Sequence, residues 1–138
     1  MRFPAVAVPP ENYAPTPPPA MPVEIDARLA AITARATRAN EAFVAKLQPT
    51  QRFVTAAASS DVETTRWAEA QVRLADLTSH HGEARVALAD LDLLAADALF
   101  ALGPAEEIAT ITEAQDRLST TLDEYAEILA GMSAKLDR

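Results

Sequence analysis

The only imidazoles in this chain are His80 and His81, and Asp76 stands one helical turn before His80. On an α-helix that spacing sets a carboxylate and an imidazole side by side, a pairing that divalent transition metals accept. Asp76, His80 and His81 are therefore the candidate metal ligands. A metal would need further donors from other segments, because neither an HExxH pattern nor paired Glu-x-x-His motifs occur. A plain helical reading accounts for the same residues with less, leaving His80 exposed and His81 as a polar layer in a buried seam.

Other reactive residue types are present without the company that chemistry requires. Asp90, Asp92 and Asp97, and again Asp123, Glu124 and Glu127, pair carboxylates on paper. General acid catalysis needs one carboxyl held protonated in a dry pocket, and runs like these in an acidic helical chain form a solvated face. Ser119, Thr120 and Thr121 have no His or Lys spaced to activate them. The three glycines, at 82, 103 and 131, cannot build a phosphate-cradling loop, and the absence of Cys removes thiolate sites and disulfides. No catalytic constellation follows, so neither an enzyme nor a cofactor is expected.

The elements that would carry these residues are legible in the apolar spacing. Ile108, Ile111, Leu118, Leu122, Tyr125, Leu129, Met132 and Leu136 recur three and four apart, interrupted only by Gln115. An average step of about 3.5 residues keeps one helical seam facing a partner over its whole length. A second seam pairs Trp67, Leu74, His81, Leu88, Ala95 and Leu102 with Ala70, Leu77, Ala84, Leu91 and Ala98. A third runs through Ile25, Leu29, Ile32, Ala36, Ala39, Phe43 and Leu47, with Glu24 and Asp26 in the first turn, where the helix dipole favours acids.

Breaks between the seams set the boundaries. Pro49 removes a backbone donor and clashes with the preceding turn, which predicts a helix over 23–47 with a kinked extension to 58. Ser60 and Glu63 have capping-box spacing and predict a helix over 61–102. Gly103 is placed to supply a left-handed cap and Pro104 to open the last helix, over 104–137. The expected fold is all-α, an elongated, coiled-coil-like three-helix antiparallel bundle. Eight of the ten prolines lie in residues 1–22, which predicts an extended or disordered arm ahead of the bundle.

Charge and length narrow the function classes. At 138 residues, 49% of them hydrophobic but only 5% aromatic, the chain supports one domain whose Ala-rich layers bring helices close together. Only the first helix is net basic, and Arg28, Arg35, Arg38 and Lys46 are expected between two acidic neighbours. A net charge of −8 speaks against nucleic acid and against a basic membrane-binding face. No stretch reaches the length of a transmembrane segment, so membrane contact would need an anchor preceding the arm. A soluble chain is expected, cytoplasmic by default with the cell envelope or periplasm as the alternative. The expected role is a non-enzymatic scaffold that self-associates or binds a protein partner, displayed on its proline-rich tether. The alternative is a small ligand- or metal-binding bundle using His80 and His81.

Overall fold

The computed structural model describes residues 21–61 and 64–137, with side chains from 24 onward. They form three helices, α1 (Met21–Ala58), α2 (Thr65–Phe100) and α3 (Ala105–Leu136), and no strand. The all-α three-helix bundle expected from the seams is the fold. Residues 1–20, the greater part of the expected arm, lie outside the described residues. Met21 and Pro22, placed in the arm by the proline pattern, begin α1 instead. A proline in the first turn costs nothing in hydrogen bonding, because the amide it lacks has no intrahelical acceptor there.

Two ladders of contacts fix an up-down-up course. Arg28 pairs with Asp97 and Lys46 with Asp76, so α1 and α2 run antiparallel. His81 reaches Leu122 and Trp67 reaches Leu136, so α2 and α3 do the same. The core divides into two clusters. Near the α2–α3 turn it is Ala-rich, with Ile25, Ile32, Ala36, Ala39, Ala84, Ala87, Leu91, Leu94, Ala98 and Ile111. Near the α1–α2 turn Phe43, Val54, Leu77 and Leu136 are joined by the half-buried Phe53, Trp67 and Tyr125. Phe43 and Tyr125 stack at 4.1 Å between α1 and α3, close to the place where the clusters meet.

The extension of α1 through Pro49 to Ala58 is as expected, and the seam explains it: Phe43, Leu47, Thr50, Val54 and Ala57 keep the four-and-three rhythm and face inward. Burying Val54 and Ala57 offsets a proline cost of about 3 kcal/mol, and Pro49 sits on the exposed side. Two boundaries differ from expectation, each for a local reason. α2 begins at Thr65, not Asp61, with Thr64 as N-cap in extended geometry accepting from the Trp67 amide. The hydroxyls of Ser59 and Ser60 turn back to donate to the Ala56 carbonyl and finish α1, while Glu63 lies outside the described residues.

The second difference is at the α2–α3 turn. Gly103 is not the left-handed residue; Leu102 is, with φ 56°. The Leu102 amide bonds the Leu99 carbonyl and the Gly103 amide bonds the Ala98 carbonyl, the two bonds of a Schellman closure. A Cβ at Gly103 would stand 3.2 Å from the Ala98 oxygen, so glycine serves close approach here and the strain falls on Leu102. α2 accordingly ends at Phe100 and α3 starts at Ala105, with Pro104 as its N-cap.

Candidate functional site

Asp76 and His80 are brought together on the exposed edge between α1 and α2, as their spacing predicts. Lys46 of α1 occupies the space between them. Its Nζ donates to Asp76 Oδ2 at 2.8 Å and to His80 Nε2 at 3.0 Å. His80 Nδ1 donates in turn to Glu83 Oε1 at 2.8 Å. The imidazole lone pair that a metal would take is therefore held by an ammonium, which is itself the cation of the cluster. The Lys46 hydrogen bond, and behind it the charges of Lys46 and Arg73, hold the Asp76 carboxyl below its ordinary pKa.

His81 faces away from this cluster, into the bundle. It is buried, and its Nε2 donates to the Leu122 carbonyl of α3 at 3.0 Å, which assigns the proton to that nitrogen because a carbonyl only accepts. The Phe43 ring lies 6.4 Å away. The two histidines thus serve different interfaces and do not converge on a common point. Among the described residues no group of three or more His, Asp or Glu side chains is placed to hold a metal ion.

The remaining candidates are structural or solvated. Asp90 and Asp97 pair with Arg35 and Arg28, and Asp92 accepts from Gln115 Nε2 at 2.7 Å, so the break in the α3 seam is a rim contact to α2. The basic residues of α1 meet only one acidic neighbour, α2; no ion pair to α3 forms among the described residues, because those side chains emerge at the α1–α2 edge. Asp123, Glu124 and Glu127 are exposed. Trp67 anchors the second cluster as its seam position predicts, donating its indole N–H to the Leu136 carbonyl at 3.2 Å.

The surface concavities are open grooves rather than pockets that exclude water. One follows the α1–α2 turn past Arg52, Phe53 and Arg66. Another, between α2 and α3, exposes the edge of His81 beside Arg85, Asp92, Ser119 and Asp123. None combines a nucleophile, a base and a desolvated wall.

No protein-family model, curated protein or solved structure matches this chain. The surface also carries large apolar side chains. Val72, Val86, Leu93 and Phe100 are 68%, 56%, 63% and 93% exposed. Leu102, the strained residue of the turn, is 89% exposed. A second periodicity in α2, displaced from the core seam, was the signal that could have found four of these five; it is masked in sequence by the stronger seam.

Proposed function

We propose that this chain is a non-enzymatic interaction module, a scaffold bundle whose working surface is the outward side of α2 and the adjoining α2–α3 turn, with the proline-rich residues 1–20 as its tether. The observation that carries this reading is the row of large apolar side chains left in solvent on a fold whose core is otherwise filled. Isolated exposed apolar residues are ordinary, but a row along one helix marks an association surface. None of the described helices is long and apolar enough to cross a membrane. Among the described residues the metal-binding alternative finds no ligand set, since Lys46 fills the space between Asp76 and His80 and His81 bonds α3.

Site-specific photo-crosslinking in living cells tests the reading. A photoreactive residue at Leu93 is expected to give a discrete adduct, and one at Glu124, on the charged side of α3, none. No discrete adduct from Leu93, or equal adducts from both positions, overturns it.

A further inference from the structure

The outward face of α2 carries a complete second seam. Ala68, Val72, Ala75, Ser79, Gly82, Val86, Ala89, Leu93, Ala96 and Phe100 follow one another at alternating steps of four and three, without a single charge. All are exposed except Gly82, which is half-buried. The outer sides of the other helices have no equivalent: Arg38, Glu41 and Arg52 interrupt α1, and Asp116, Asp123 and Glu127 interrupt α3. The seam alternates strictly in size, Ala or Gly at every first position and, apart from Ser79, Val, Leu or Phe at every second.

We propose that two copies of this chain associate through this seam, α2 against α2 in antiparallel orientation about a two-fold axis near residue 84. The proposal rests on the interaction-module reading and names its partner. In antiparallel coiled-coil packing each first-position residue faces a second-position residue of the other helix, so alternation of small and large is self-complementary. One register engages all ten positions. It sets Phe100 over Ala68 of the second copy, Ala96 over Val72, Leu93 over Ala75, Ala89 over Ser79 and Val86 over Gly82. Parallel pairing would instead stack large on large and small on small.

Area and charge agree with this occupant. From residue 68 to 100 the seam is about 48 Å long. At roughly one helix width, about 10 Å, it offers on the order of 500 Å² per copy, and two copies together reach the roughly 1,000 Å² of a specific interface. Its α1 flank carries an acid every seven residues, Glu69, Asp76, Glu83, Asp90 and Asp97. Two such flanks would repel if bare. α1 supplies Lys46, Arg35 and Arg28 to Asp76, Asp90 and Asp97, and Arg38 lines the groove that holds Glu83 and Val86. In the antiparallel register Glu69 faces the Asp97–Arg28 pair of the second copy, and Asp76–Lys46 faces Asp90–Arg35, so four of the five levels carry an ion-paired cation, and at the middle level, where Glu83 meets its counterpart, Arg38 lines the adjoining groove. On the other flank Arg85 meets its counterpart beside the axis, in a groove that also holds Asp92 and Asp123.

Sedimentation equilibrium of the purified full chain tests the proposal. The expected mass at tens of micromolar is twice the 14.7 kDa of the chain. Val86→Glu and Leu93→Glu, both at exposed positions, should raise the dissociation constant at least tenfold with unchanged circular dichroism, and Thr120→Glu on the exposed side of α3 should not. The cysteine-free chain also allows a test of orientation. Arg85→Cys, beside the axis, should oxidise to a covalent dimer, whereas Val72→Cys, about 36 Å from its counterpart, should not. A monomeric wild type, a dimer indifferent to Val86→Glu and Leu93→Glu, or ready cross-linking through Val72→Cys overturns the antiparallel α2 dimer. If the purified chain is monomeric while Leu93 still gives a discrete adduct in cells, self-association fails and the interaction module stands.

Discussion

The Leu122 carbonyl lies inside α3, where it already accepts a helical amide, so the His81 N–H is a second donor to a satisfied acceptor. Replacing the imidazole by an apolar side chain of similar bulk leaves no buried group unpaired. His81→Leu is therefore expected to change stability by no more than about 1 kcal/mol in either direction, a shift of a few degrees in a circular-dichroism melt. A loss above about 3 kcal/mol would mean that the imidazole organises the centre of the bundle and is not one packing residue among others. Much of this residue was legible in sequence, because its place in the heptad marks it as a core position. What occupies the His80 lone pair was not legible. Lys46 lies 34 residues away, and only the docking of α1 on α2 brings its ammonium onto the imidazole.

The turn between α2 and α3 shows the same division at the level of elements. Gly103-Pro104 marked the break, yet the left-handed conformation fell one residue earlier, on a bulky side chain. That conformation costs an L-residue roughly 1–2 kcal/mol that glycine does not incur. Leu102→Gly is thus expected to stabilise the chain by about 1 kcal/mol, whereas Gly103→Ala, which presses a Cβ toward the Ala98 carbonyl, should destabilise it. Chemical denaturation of the two variants checks the pair of opposite signs, and a destabilising Leu102→Gly would mean that the leucine side chain makes contacts worth more than its strain. The start of α2 was misplaced because Ser59 and Ser60 suit a helix end as well as a helix beginning. The continuation of α1 to Ala58 was legible despite Pro49, because Phe53, Val54 and Ala56 to Ala58 carry the apolar pattern beyond it.

Over the whole molecule, the helix count, the antiparallel order and the match of basic α1 to acidic α2 could be read from periodicity and charge, since each is a property of long segments. The surface that gives the bundle its proposed use was harder to read, because α2 carries two seams and apolar spacing alone does not say which one turns inward. The division of the core has a consequence for how the molecule comes apart. Phe43, Phe53, Trp67 and Tyr125 all belong to the cluster at the α1–α2 turn, while the other cluster includes five buried alanines, each of which removes little apolar surface from water. On that division the rod is expected to have a firm end and a soft end, coupled through the layer around Phe43 and His81. Trp67, the chain's single tryptophan, sits at the firm end, tied to Leu136. Its fluorescence should therefore follow the last part to unfold, with a midpoint above that of total helix content measured by circular dichroism. Superimposable curves would show that the two ends melt as one unit, and a gap between them would make the Ala-rich half the place where this protein first yields to heat, to proteases and to exchange of its amide protons.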